Sequence, residues 1–309
     1  MNRKGFFKSV VAVSTLLGIP LAGKSNGLSE INELLNTQRG TGSMLGFEAR
    51  PISRVRVGII GLGNRGTTLL KMFEWLVQNN KAEIVALCDL KESKTQRAVE
   101  HLQQFQKKKV KQYHSSETAW KKVAERDDIN LLLIATPWKH HTPMALYGME
   151  QGKHVSVEVP IASSLEDCWK ITETAERTQR HCIMLENCNY NEEELFVLNM
   201  VEQGVFGELT HAECAYIHDL RKHLLDDNYY ENQWRLQHHK ERNGNFYTTH
   251  GIGPVSFYYK IGRGDMFTHL SSMSSQEANL SAAAKKLGKE SKISCGDMNT
   301  TLLQTDKGR

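Results

Sequence analysis

No two of the six cysteines form a C-x-x-C pair, and Cys88, Cys168, Cys182, Cys188, Cys214 and Cys295 fit no other metal-ligand spacing. That excludes a zinc ribbon or finger. His218, His223, His238 and His239 also match no zinc pattern, so no metal site is expected. A basic stripe is missing too. Three of the 39 basic residues, Arg3, Lys4 and Lys8, lie near the N-terminus, and the remaining 36 face 35 acidic ones. With that balance nucleic acid is set aside as a partner. The longest apolar run, Val10 to Leu21, is short for a membrane span, and no cysteine follows it to carry a lipid. At 39% hydrophobic and 24% charged residues, the composition is that of a globular protein with room for two ordinary cores.

What stands at the N-terminus reads as a leader. Asn2 to Lys8 is a basic n-region, Val10 to Leu21 the h-region, and Ala22 and Gly23 offer a cleavage site. Arg3-Lys4-x-Phe6-Phe7-Lys8 is similar to a twin-arginine signal with lysine in the second position. Export to the bacterial periplasm or cell exterior is the expectation, with no membrane anchor in the mature chain. The organisation expected is a signal peptide over 1–23, a linker over 24–53, a dinucleotide-binding domain over 54–187 and a substrate domain over 188–309. Cys182 and Cys188 could pair in an oxidising compartment, but buried, reduced thiols are expected.

The chain is organised around Arg54 to Gly66. Val55, Val57, Ile59 and Ile60 form an apolar, partly β-branched strand that ends in Gly61-x-Gly63-x-x-Gly66, and a helical pattern follows. In that context Gly61 permits the tight turn and Gly63 lets a pyrophosphate approach the backbone. Gly66 lets the helix lie close on the sheet, its N-terminal amides aimed at an anion. A second apolar strand, Ala82 to Asp89, ends in an acid placed to accept the ribose hydroxyls and repel a 2′-phosphate, which favours NAD. Asp89 as a simple turn former is the alternative.

Strand and helix patterns then alternate, as in a parallel α/β sheet. Asn130 to Ala135 is an apolar strand followed by Trp138 to His141, and His154 to Glu158 is the next strand, leading into Val159-Pro160. Ligands in such sheets lie beyond the carboxyl ends of the strands, where these segments converge. Past Gly207 the pattern changes. Thr210 to Tyr216, Met266 to Ser274 and Thr300 to Thr305 read as strands, with helical stretches near Trp234 to Arg242 and Pro254 to Ile261. The fold expected is thus α/β, an N-terminal Rossmann domain followed by an α+β domain on an open, mostly antiparallel sheet. A final strand stopping at the turn 306–309 reads as a C-terminally truncated chain.

Gly61-Leu-Gly-Asn-Arg-Gly66, Glu158-Val-Pro160 and Asn245 to Pro254 together resemble the Gfo/Idh/MocA oxidoreductase superfamily. Val159 stands where that superfamily usually has a lysine assisting hydride chemistry, which argues against a plain sugar dehydrogenase. This departure, with Trp138-x-x-His141, Glu186-Asn187-x-x-Tyr190 and Tyr247-Thr-Thr-His250, is similar to glycoside hydrolase family 109. Members are NAD-dependent α-N-acetylgalactosaminidases. The resemblance implies NAD contacts at Asn64, Arg65, Asp89, Trp138, Lys139, His140, His141, Glu158, Val159 and Asn187. It implies contacts to a terminal N-acetylgalactosamine at Tyr216, Arg235, Tyr247, Thr248, Thr249 and His250, and a homodimer as a common assembly.

NAD-dependent glycosidases depart from the two-carboxylate scheme. By resemblance the reaction runs as oxidation, elimination, addition and reduction, with no net cofactor consumption. It needs a base that works near neutral pH. Tyr247 and His250, three apart, share a face if a helix begins there, and either could be that base. Three other readings stay open: Arg235 as an exposed helix residue, an NAD-dependent sugar dehydrogenase, and a non-catalytic NAD- or sugar-binding protein.

Overall fold

The computed structural model describes residues 43–309 apart from 45 and 290. The leader expected over 1–23, and the linker as far as 42, lie outside the described residues. The chain divides into two compact units, one closing at Leu185 and the other running Glu186–Arg309. The division falls two residues before the boundary read from the sequence and assigns Glu186 and Asn187 to the second unit.

The first unit is built on strands β1 (Val55–Ile60), β2 (Ala82–Cys88), β3 (Lys111–Tyr113), β4 (Leu131–Ile134), β5 (His154–Val157) and β6 (Cys182–Met184). They form one parallel sheet in the order β3-β2-β1-β4-β5-β6. The order reverses between β1 and β4, which is the switch point of a doubly wound fold. Helices cover both faces, so the central strands are apolar runs: all seven residues of β2 are buried. Alternation sorts the side chains. Val57, Ile59 and Leu133 pack with Leu69 and Leu70 of α1 (Asn64–Gln78) and with Ala98 and Leu102 of α2 (Glu92–Leu102). Ile60, Leu132 and Ile134 pack on the other face with Val123 of α3 (Ala119–Ala124) and Met144, Ala145 and Met149 of α4 (His141–Glu150). Ala175 of α5 (Leu165–Thr178) joins that face. Helix α5 starts where the Ser164 hydroxyl accepts the Asp167 N–H at 3.1 Å.

The second unit opens with a 3-10 turn, Asn187–Tyr190, followed by α6 (Glu192–Glu202), α7 (Arg221–Leu224), α8 (Trp234–Glu241), α9 (Thr248–Tyr258) and α10 (Asn279–Lys286). Strands β7 (Phe267–Ser274) and β8 (Asn299–Thr305) pair antiparallel, with Leu270 opposite Leu303. Its small core gathers Leu224, Leu225, Leu236, Leu280 and Ala284. The strand expected over Thr210 to Tyr216 does not form: that segment is irregular and mostly exposed, and among the described residues no strand pairs with it. The second sheet described is two-stranded and antiparallel. All six cysteines are free; Cys88 is buried as expected, while Cys182 is only half-buried, as is Cys188. Among the described residues no helix is long and apolar enough to cross a membrane.

Candidate functional site

The glycine loop sits at the switch point, between the ends of β1 and β4. Gly61 has φ +91°, and a Cβ there would lie 2.6 Å from the Ala135 carbonyl oxygen. A Cβ on Gly66 would lie 1.9 Å from the Gly61 carbonyl oxygen. Both positions are closed to any side chain. Gly63 is different: a Cβ there would meet nothing nearer than Lys94 Nζ at 4.0 Å. A glycine is not needed there for packing within this chain, and the open space above its backbone suits a bound anion. Helix α1 begins on Gly63 with no acidic residue in its first turn, so its positive end is uncompensated by the chain at that turn. The loop thus fits a dinucleotide pyrophosphate.

Asp89 stands at the end of β2. Its Oδ2 accepts the Leu62 N–H at 2.8 Å and its Oδ1 accepts the Lys91 N–H at 3.0 Å. The carboxylate is thereby locked to the glycine loop, and each oxygen keeps a lone pair for a ribose hydroxyl. Arg65, in the first turn of α1, holds Glu158 at the end of β5, Nε to Oε1 2.6 Å. Asn64 opens α1 beside it. Val159 is buried, so an apolar side chain fills the position next to Glu158.

The Trp138 to His141 loop divides by role. Lys139 is exposed and His140 half-buried, with burial, then Lys139, lowering the His140 pKa. Trp138 is buried at 3% exposure and packs. His141, expected as an NAD contact, is 1% exposed, and its two ring nitrogens each lie 2.7 Å from a carbonyl oxygen, Nδ1 at Pro160 and Nε2 at Thr136. Burial lowers its pKa, offset in part by those two carbonyls. Its side chain ties the loop after β4 to the loop after β5 rather than meeting a ligand.

The second unit assembles a separate cluster. The Tyr247 N–H is held by Asn245 Oδ1 at 3.0 Å, and α9 starts at the next residue. This puts the Tyr247 and His250 rings face to face, 5.0 Å apart at 14°. Tyr216, expected on a strand, lies in the irregular segment, yet its ring still reaches His250 at 4.9 Å and Tyr247 at 5.4 Å. Its hydroxyl meets His218 Nδ1 at 2.6 Å. Arg235 of α8 is not the exposed helix residue of the alternative reading. It is 7% exposed, its guanidinium 4.4 Å from the Tyr247 ring centre, its Nη1 donating to the Tyr230 hydroxyl at 2.7 Å. A cation on an aromatic face in a buried setting is strongly positioned. Thr248 is exposed at the start of α9 and Thr249 half-buried.

The sequence alone gives Glu186 no role, although it begins the Glu-Asn-x-x-Tyr motif. Its Oε1 lies 2.7 Å from His250 Nδ1 and accepts the Cys188 N–H at 3.0 Å. Burial raises the Glu186 carboxyl, but the His250 and Thr249 side chains and the Cys188 N–H outweigh it, and its pKa falls below the ordinary value. It is therefore ionised at neutral pH. Thr249 Oγ1 and Glu186 Oε2 are both buried without completing a well-formed hydrogen bond. Burial, then the Glu186 charge, raises the Cys188 thiol, which stays neutral 3.6 Å from His250 Nδ1. Glu186, Cys188 and His250 could present ligand atoms within 4.8 Å of one another. However, two ligands on one tetrahedral zinc sit about 3.4 Å apart given its bond lengths, and the 2.7 Å pair is hydrogen-bonded instead. A glycine inside a helix costs about 1 kcal/mol, and α9 carries two for close packing. A Cβ on Gly251 would meet Cys214 Sγ at 3.2 Å, and one on Gly253 would meet Asn189 Oδ1 at 2.4 Å and Glu186 Cγ at 3.0 Å. Asn187, expected as an NAD contact, lies on the 3-10 turn between Glu186 and Cys188, with its Nδ2 3.7 Å from Cys188 Sγ.

Comparison with known proteins assigns the two units. Residues 55–186 match the oxidoreductase family with an NAD-binding Rossmann fold, and residues 190–309 match the C-terminal domain of glycosyl hydrolase 109. The chain is 45% identical over 273 residues to the alpha-N-acetylgalactosaminidase of Shewanella oneidensis, covering 86% of this chain and 59% of that one. It is 42% identical over 316 residues to glycosyl hydrolase family 109 protein 1 of a Shewanella species, covering 100% of this chain and 67% of that one. The chain thus spans about three fifths to two thirds of the length of these relatives. The WlbA dehydrogenase of Bordetella pertussis, solved with NADH and UDP-GlcNAcA, shares the fold. Its TM-score is 0.59 at 17% identity, over 82% of this chain and 68% of that one. An NAD-binding Rossmann unit joined to that C-terminal domain, with more than 40% identity to a relative along its whole length, makes this chain a member of glycosyl hydrolase family 109.

Proposed function

We propose that the chain acts in a glycosidase releasing terminal α-linked N-acetylgalactosamine through an NAD-dependent oxidation, elimination, addition and reduction that consumes no cofactor. The observation that carries this reading is the Glu186–His250 pair, 2.7 Å apart, with Tyr247 stacked on the imidazole. It provides an imidazole as proton acceptor, with its counter-charge supplied by the same unit. NAD held by the glycine loop, Arg65 and Glu158 would supply a reversible hydride acceptor. Asp89 orients the ribose and disfavours a 2′-phosphate. Arg235, fixed on Tyr247 and Tyr230, offers guanidinium donors to a sugar or acetamide oxygen, and Tyr216 offers a ring face.

The likeness to solved dehydrogenases favours a second reading, an NAD-dependent sugar dehydrogenase. Against it, Val159 is a buried apolar residue with no ionisable group to help hydride transfer. Export to the periplasm or cell exterior belongs to the proposal, supported by the basic and apolar pattern of Asn2 to Leu21. So does a second domain on an open sheet that pairs two copies, supported by the exposed Met273 and Leu302, which share one face of β7 and β8.

The test uses purified protein with no added cofactor. Its bound nucleotide is identified, p-nitrophenyl α-N-acetylgalactosaminide is offered, and nitrophenol and NADH absorbance are followed together. Nitrophenol release without NADH accumulation, lost when nucleotide is stripped and restored by NAD, is the expected result. Stoichiometric NADH from the free sugar would establish the dehydrogenase instead.

A further inference from the structure

We infer that Glu186 holds His250 as the Nδ1–H tautomer, so that Nε2 is the ring nitrogen left to take a proton and Glu186 is the residue that positions the base. The inference deepens the proposed glycosidase reading by assigning the proton-accepting atom. An ionised carboxylate can only accept a hydrogen bond, so the 2.7 Å contact requires the proton on His250 Nδ1. The alternative tautomer would set two lone pairs against each other in a buried site, Glu186 being 2% and His250 12% exposed at the side chain.

The carboxylate does not turn to suit the ring. Its Oε1 is pinned by the Cys188 backbone N–H at 3.0 Å, in the 3-10 turn, and its Cγ lies 3.0 Å from where a Cβ on Gly253 would be. The imidazole is held by the Tyr247 ring stacked on it and by the tilted Tyr216 ring beside both. Cys188 Sγ, 3.6 Å from Nδ1, is a neutral thiol and does not compete for that nitrogen as a base. When a proton leaves the sugar, the bond to it breaks, the electron pair stays with the sugar atom, and the proton forms an N–H bond at Nε2. The resulting imidazolium lies against the Glu186 carboxylate, which remains ionised. This is the orienting role a buried acid plays for a catalytic histidine in other hydrolases.

The ring nitrogens of ¹⁵N-histidine-labelled whole chain, loaded with NAD, report the tautomer directly. His250 is identified by loss of its signals in His250→Gln, and spectra are taken at alkaline pH, where imidazole is neutral. The expected result is a protonated Nδ1 and an unprotonated Nε2. Glu186→Gln keeps an oxygen for both donors and preserves the tautomer, whereas Glu186→Ala gives a mixture of the two forms. A protonated Nε2 in the parent chain would overturn the inference. So would an unchanged tautomer in Glu186→Ala with a melting curve showing it folded. None of this needs glycosidase activity, so a chain that passes the tautomer test and releases no nitrophenol refutes the proposed function alone. In an active preparation Glu186→Ala lowers kcat on the order of 10²-fold with little change in KM, and Glu186→Gln recovers part of it. Equal loss in KM and kcat would mark a merely structural role.

Discussion

Arg65 and Glu158, 93 residues apart in sequence, meet at 2.6 Å across the ends of β1 and β5. The acid is the buried partner, 10% exposed at its side chain against 39% for the arginine. Such a pair is asymmetric: truncating the arginine strands a buried carboxylate, whereas neutralising the acid leaves an arginine that water can solvate. Arg65→Ala should therefore cost roughly 1–3 kcal/mol in urea unfolding, and Glu158→Gln less than half of that. If Glu158→Gln proved the more damaging of the two, the arginine would not be what makes that burial tolerable.

Gly63 and Gly66 separate ligand binding from folding. Gly66→Ala forces a Cβ onto the Gly61 carbonyl, displacing helix or loop, at a cost of about 1–3 kcal/mol or more. Gly63→Ala has φ −69° and open space, so its stability should stay within about 0.5 kcal/mol. The added methyl nonetheless occupies the space a pyrophosphate would use, and NADH affinity should fall at least tenfold, roughly 1.4 kcal/mol. Thermal melts beside NADH fluorescence titrations check both. An unstable Gly63→Ala, or one that binds NADH normally, contradicts the assignment.

Much of this first unit could be read from the chain because the deciding interactions are local or repeated. The glycine spacing dictates the turn, and strands buried on both faces announce themselves as apolar runs wherever their partners lie. Thr210 to Tyr216 shows the limit: alternation is a local pattern, but a strand also needs a neighbour to bond with, and none among the described residues pairs with it. Glu186 shows another. It follows an apolar strand as Glu158 does, but its meaning comes from His250, 64 residues on, and from a glycine in α9 that makes room for it. His141 sits beside His140 in sequence with nothing to distinguish a buried loop tie from a surface ligand.

In the proposed reading Asp89 is the residue that selects between NAD and NADP. Its oxygens are fixed by the Leu62 and Lys91 amides at the end of β2, the position from which the proposed reading has the carboxylate repel a 2′-phosphate. Asp89→Ser should raise the ratio of NADP to NAD affinity about tenfold or more by removing the repulsion, with some loss of NAD affinity as the ribose loses its acceptor. Parallel titrations of the two reduced cofactors decide the matter. An unchanged ratio would return Asp89 to the role of a turn former.

The second unit carries an acid-sensitive group in His239. Its ring packs edge-on against Phe246 at 4.8 Å, and its Nε2 is buried without a hydrogen-bond partner among the described residues. Burial, followed by the charges of Arg235, His238 and Arg242, lowers its pKa to about 4. The unfolded chain takes up this proton near pH ~6.5. Between about 6.5 and 4, then, the unfolded state binds more protons than the folded one, and stability rises with pH through that window. The contribution is fully present above about 6.5 and shrinks as pH falls to about 4. Below that both states are protonated and the loss stops growing. A shift of this size corresponds to at most about 3 kcal/mol. His239→Phe removes the titration, so its unfolding free energy should be flatter than the parent's across the window by up to that amount. His141, also lowered by burial, contributes equally to both chains and cancels in the difference. Denaturant titrations at several pH values on the two proteins make the comparison, and identical slopes would show that His239 takes up its proton as easily folded as unfolded.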